Sequence, residues 1–87
     1  VKNVGVVDVE NGRILPNRDV LIENGRITKI SRASDKNANL KTIDGGGKFL
    51  IPGLWDFHVH ALALPDEDKF SLPVYVANGI TGIRDLG

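Results

Sequence analysis

Leu54-Trp55-Asp56-Phe57-His58-Val59-His60, directly after Ile51-Pro52-Gly53, is the stretch that decides the fold. In a β-strand successive side chains point to opposite faces. Leu54, Asp56, His58 and His60 then share one face, and Trp55, Phe57 and Val59 the other. The second face is a large apolar surface ready to pack. The first carries a carboxylate and two imidazoles towards its far end. Histidines at i and i+2 can direct ring nitrogens at one point in space, which is metal-ligand geometry. A bare His-x-His also recurs by chance on ordinary strands, as a solvent-facing or hydrogen-bonded pair. Here the faces divide cleanly and both histidines of the chain fall in the motif, which favours metal.

Downstream, Ala61 to Asp68 reads as irregular, with Pro65 and a small acidic cluster. Phe70 to Asn78 reads as a helix with Ser71 as N-cap, Pro73 in its first turn and Asn78-Gly79 at its end. Ile80 to Asp85 reads as a strand. Residues 54–85 are therefore one β-α-β unit with parallel strands. The histidines lie at the C-terminal end of its first strand, where parallel α/β folds gather ligands and catalytic groups.

Upstream the chain is β-rich. Lys2 to Glu10 reads as a strand, Asn11-Gly12 as a turn, and Arg13 to Leu15 as a short stretch interrupted by Pro16-Asn17. Asp19 to Glu23 and Arg26 to Ser31 read as a hairpin joined by the two-residue turn Asn24-Gly25. That register sets Glu23 opposite Arg26 and Ile22 opposite Ile27, an opposite-charge pair and an aliphatic pair. Ala33 to Lys41 reads as a polar surface loop. Gly45-Gly46-Gly47 precedes an apolar strand-like run rather than a helix start, so a tight turn is expected there and not a phosphate cradle.

The 87 residues make one small domain at most, with 11 basic and 11 acidic residues spread evenly. This balance argues against nucleic acid and anionic membrane as partners. No apolar run approaches a membrane span, and no signal peptide is visible. Cysteine is absent, so a metal would take nitrogen and oxygen ligands, which suits zinc and similar divalent ions. The same absence favours a reducing, cytoplasmic compartment slightly over a processed secreted or periplasmic form. There is no methionine, even at position 1, so the sequence reads as processed, trimmed or part of something longer.

Gly47-Lys48-Phe49-Leu50-Ile51-Pro52-Gly53-Leu54-Trp55-Asp56-Phe57-His58-Val59-His60 resembles the start of the barrel in the metal-dependent amidohydrolase superfamily. The β-rich stretch before it is similar to the small β-sandwich of these enzymes. Ala77-Asn78-Gly79-Ile80-Thr81-Gly82-Ile83-Arg84-Asp85-Leu86-Gly87 resembles their second barrel strand, in the style of the imidazolonepropionase-like and Xaa-Pro-dipeptidase-like branch. The resemblance implies a β-sandwich portion over residues 1–52. Residues 53–87 would then begin a (β/α)8 TIM-like barrel, with two strands and the helix between them. It implies His58 and His60 as ligands of one or two divalent ions, zinc foremost. Asp56, one step deeper on the same face, would support those ligands. Arg84 and Asp85 would touch the site or the substrate, with a salt bridge at the barrel rim as the competing role.

The implied activity is hydrolysis of an amide, peptide, cyclic amide or ester bond in a small molecule or short peptide, by a metal-activated water. Further ligands and the proton-handling aspartate come from later strands in this superfamily. The resemblance therefore places no catalytic residue within residues 1–87, and a barrel needs about 250 residues. The chain alone is expected to be inactive, its partner being the remainder of the same enzyme. Two alternatives are a truncated non-catalytic relative and a small β-rich interaction domain with incidental histidines.

Overall fold

The computed structural model describes residues 1–34 and 39–87, so part of the expected loop from Ala33 to Lys41 lies outside the described residues. The chain divides into two compact units, Val1–Ile51 and Pro52–Gly87. The first is a four-stranded sheet of β1 (Val4–Asp8), β2 (Arg13–Glu23), β3 (Arg26–Arg32) and β4 (Phe49–Leu50). Their order is β3-β2-β1-β4, with antiparallel pairs except for the parallel pair β1 and β4.

The β2–β3 hairpin turns at Asn24 and Gly25, whose φ values of 51° and 72° are those of the turn that matches strand twist. Glu23 faces Arg26 and Ile22 faces Ile27. The expected charge pair does not close, because Glu23 instead accepts the Thr28 hydroxyl at 2.7 Å. The β1–β2 connection is longer than a two-residue turn, since Asp8 pairs with Arg13. Asp8 organises it by accepting from the Asn11 backbone and side-chain nitrogens and from Arg13 Nε. These donors, the Asn11 side chain foremost, hold the Asp8 carboxyl below its ordinary range.

Pro16-Asn17 does not interrupt β2 as the sequence implied. Val4 pairs with Arg18 and Val6 with Leu15, so β2 carries one extra residue there. A β-bulge absorbs a proline that a regular central strand would reject, and Asn17 takes the positive φ of 51°. A second shift sets Leu21 opposite Lys29 and Ile22 opposite Ile27, which leaves Thr28 as the extra residue of β3. Paired residues share a face, so the two bulges bring Val4, Val6, Leu15, Val20, Ile22, Ile27 and Ile30 onto one face, which Arg18 and Arg32 share. Val4 and Val20 are buried, whereas Ile22, Ile27 and Ile30 are exposed. The glycine run closes a turn, with the Lys48 amide donating to the Gly45 carbonyl at 2.9 Å and Gly47 at φ 71°.

The second unit is β5 (Leu54–Val59), α1 (Glu67–Ala77) and β6 (Ile80–Asp85), with β5 and β6 parallel. Val59 and Ala61 are its buried apolar residues. The Trp55 and Phe57 rings stack with centroids 5.9 Å apart, and both remain exposed. Trp55 sits beside Gly82, where a Cβ would come within 2.3 Å of the indole. The missing side chain is what admits the ring.

The helix begins earlier than its sequence suggested. Asp66, not Ser71, is the N-cap, and Pro73 lies inside the helix. The acidic residues read as irregular in fact make its first turn, where carboxylates favour the helix dipole. Glu67 also reaches back to accept the Leu64 amide at 3.1 Å. Pro73 leaves the Lys69 carbonyl without its usual intrahelical donor. The C-terminus is as read: Asn78 caps Val74 and Tyr75 carbonyls, and Gly79 turns the chain at φ 82°. Among the described residues, no helix is long and apolar enough to cross a membrane.

Candidate metal centre

The pairing of β5 with β6 is irregular where the histidines begin. Asp56 pairs with Ile83 and Val59 with Asp85, so β5 carries an extra residue between them. The His58 amide donates to Asp56 Oδ1 at 3.1 Å. Asp56, half-buried, thus satisfies a backbone donor beside the irregularity, as a bulge next to a site requires when it re-aims a side chain. The two imidazoles are nevertheless neighbours. The His58 and His60 rings lie edge to face with centroids 5.4 Å apart, on one side of the strand.

His60 follows the last residue of β5, and a specific contact holds its ring. Nδ1 lies 2.7 Å from the backbone oxygen of Gly87. A backbone oxygen only accepts, so Nδ1 carries a proton in this contact, and in the neutral imidazole Nε2 keeps its lone pair. This is the arrangement expected of an imidazole whose other nitrogen faces a metal ion. Both rings are exposed, and neither is tied up in an ion pair among the described residues. The donor chemistry therefore fits a borderline divalent ion. The fit is partial, because no group of three or more His, Asp or Glu side chains converges among the described residues.

Asp85, the last residue of β6, faces the same junction. Its Oδ2 accepts the amides of Ala61 at 2.8 Å and Leu62 at 3.1 Å, and its Oδ1 accepts the Gly87 amide at 2.8 Å. The Gly87 amide foremost, then those of Ala61 and Leu62, with the charge of nearby His60, hold its carboxyl below the ordinary range. Arg84 is exposed and makes no ion pair among the described residues. Of the five residues singled out from sequence, the fold brings His58, His60 and Asp85 to the C-terminal end of the β5–β6 pair, while Asp56 lies deeper in β5 and meets only the His58 amide among the described hydrogen bonds. Sequence reading missed the Gly87 backbone oxygen, and nothing in a side-chain pattern could have signalled it.

No protein-family model matches the chain. Residues of this chain are 40% identical to a dihydroorotase of Trichlorobacter lovleyi, over 95% of the chain and 20% of that protein. An L-hydantoinase of Paenarthrobacter aurescens is 31% identical over 80% of the chain and 15% of its own length. A crystal structure of a prolidase in complex with N-methylphosphonate-L-proline superposes with a TM-score of 0.80 at 30% identity, covering 99% of this chain and 25% of the prolidase. The chain belongs to the amidohydrolase superfamily. As an amidohydrolase chain it spans a fifth or less of the length of these curated relatives, and a quarter of the solved structure.

Proposed function

We propose that this amidohydrolase chain supplies part of a β-sandwich and the first β-α-β unit of a (β/α)8 barrel in a metal-dependent hydrolase. Its substrates would be amide, peptide or cyclic-amide bonds in small molecules or short peptides. The activities of the relatives support that range, since dihydroorotase, hydantoinase, dihydropyrimidinase and prolidase are among them. Parallel strands with a helix between them, and histidines at the C-terminal end of the first, support the barrel reading.

The observation that carries the proposal is the His60 Nδ1 contact with the Gly87 backbone oxygen, which aims Nε2 away from the protein's own acceptor. His58 and His60 would hold a divalent ion, zinc foremost, and one or two ions fit a set completed from other barrel strands. When bound, such an ion supplies a lowered pKa for water and polarisation of the scissile carbonyl. The chain's own contributions are positional. Asp56 holds the His58 backbone, and Gly87 fixes the His60 tautomer. The remaining ligands and the proton-handling group would come from the rest of the barrel, which is also the partner for the exposed apolar surface. Arg84, exposed next to Asp85, would reach the substrate or pair at the barrel rim.

Elemental analysis of the full-length protein tests this reading. His58→Ala and His60→Ala should each lose most bound metal, because the remaining donors cannot rebuild the coordination geometry. Unchanged stoichiometry in both variants would sink the metal assignment.

A further inference from the structure

The His60 contact depends on a backbone oxygen two residues beyond β6, and something must hold that backbone in place. Backbone past a strand end has no ladder to fix it. Here one carboxylate does so from both sides. Asp85 takes the Ala61 and Leu62 amides on Oδ2, which pins the chain leaving His60. It takes the Gly87 amide on Oδ1, which pins the residue whose oxygen meets His60. The Leu86 amide, donating to the Val59 carbonyl at 3.0 Å, adds one further tie. The result is a closed ring: His60 to Gly87, Gly87 to Asp85, and Asp85 back to the residues after His60.

We propose that Asp85 is a positioning residue for His60: its carboxylate keeps the Gly87 backbone oxygen against Nδ1, and so keeps Nε2 free to bind a metal ion. The metal half of this statement rests on the function proposed above, whereas the tautomer half does not. Aspartate suits the task because it offers two accepting oxygens. Asparagine has the same size but a single accepting oxygen. It can serve the Ala61 and Leu62 side or the Gly87 side, not both. Glutamate keeps both oxygens but adds a methylene, which displaces them from amides now at 2.8 Å.

The test uses the full-length protein carrying this chain, labelled with nitrogen-15 histidine, stripped of metal and held at about pH 8, where unperturbed imidazoles are neutral. Nitrogen chemical shifts report which ring nitrogen is protonated. The native protein should show His60 as the Nδ1–H tautomer. In Asp85→Asn and Asp85→Ala, His60 should relax to a mixture of tautomers while the His58 signals stay in place. Zinc affinity, titrated on the same samples, should fall about 10- to 100-fold, the usual cost of losing a group that orients a metal ligand. Asp85→Asn, equal in volume, reports the result if Asp85→Ala does not fold. An unchanged His60 tautomer in Asp85→Asn would overturn the proposal, whatever the zinc affinity. A tautomer shift in a protein whose native form binds no zinc would overturn the metal reading and leave the positioning of His60 standing.

Discussion

Replacing Gly82 with alanine puts a methyl group into the Trp55 indole. The added Cβ would lie 2.3, 2.5 and 2.6 Å from three ring atoms. Comfortable carbon–carbon separation is about 3.5–4.0 Å, so the ring must retreat by about 1 Å or more. That retreat disturbs its stacking on the Phe57 ring and turns the indole towards solvent. Forced repacking of this kind costs about 1–3 kcal/mol. The local readout is hydrogen exchange of the β6 amides, where about 1.4 kcal/mol corresponds to a tenfold change. Exchange across Ile80–Asp85 should therefore accelerate about 5- to 150-fold in Gly82→Ala. The cause is isolated by repeating the substitution in Trp55→Ala. Without the indole, Gly82→Ala should be neutral or stabilising by about 0.5–1 kcal/mol, because alanine loses less conformational freedom than glycine in a strand. Equal acceleration in both backgrounds would refute the argument and place the fault in the backbone.

Gly25→Ala should destabilise the β2–β3 hairpin by about 1–2 kcal/mol through its positive φ alone. A Cβ there meets no atom, so relief by repacking neighbours in thermal unfolding would contradict that account. Asp19 accepts the amides of Asn3 and Ser34, at 3.0 and 3.1 Å, and the Asn3 amide foremost lowers its carboxyl from the ordinary range. A depressed folded-state value stabilises at neutral pH, and that stability is lost as pH falls through it, below about pH 4. Asp19→Asn should thus be less stable than the native protein in urea at pH 7 and should converge with it in acid; a constant difference would be the wrong outcome. Residues 1–87 expressed alone with added zinc should show no turnover of amide, dipeptide or ester substrates, and fast exchange across residues 54–85. Turnover abolished by His58→Ala would show that this segment is self-sufficient.

Where turn chemistry is local, the sequence was explicit. Asn24-Gly25 carries both residues that tolerate positive φ, and the predicted register of Ile22 with Ile27 follows from that alone. The β5-α1-β6 order was also legible, since alternation in 54–59 and the Asn78-Gly79 stop are properties of neighbouring residues. Pro16-Asn17 misled because a proline breaks a regular strand, while a bulge makes room for it only once β1 is alongside. Leu15 and Val20, five apart, reach one face, and so do Ile27 and Ile30, three apart. Both spacings are odd, and strict alternation would have separated them. The helix start was misread because Pro73 fits a first turn as a rule, whereas Glu67 and its reach back to Leu64 set the actual one. At the site, the paired histidines were plain in the sequence, but the Gly87 oxygen that orients one of them is backbone 27 residues away.

That separation has a consequence for how the protein comes to exist. Closing a loop costs conformational entropy that grows with its length. The ties from Ala61 to Asp85 and from His60 to Gly87 span 24 and 27 residues. During synthesis β5 leaves the ribosome well before β6, at about 5–20 residues per second. For an interval of about a second or more, His58 and His60 are present without the carboxylate and oxygen that orient them. The imidazole pair takes its folded arrangement only when the second strand docks, so on the proposed metal reading, competence to capture an ion would report that the β-α-β turn has closed.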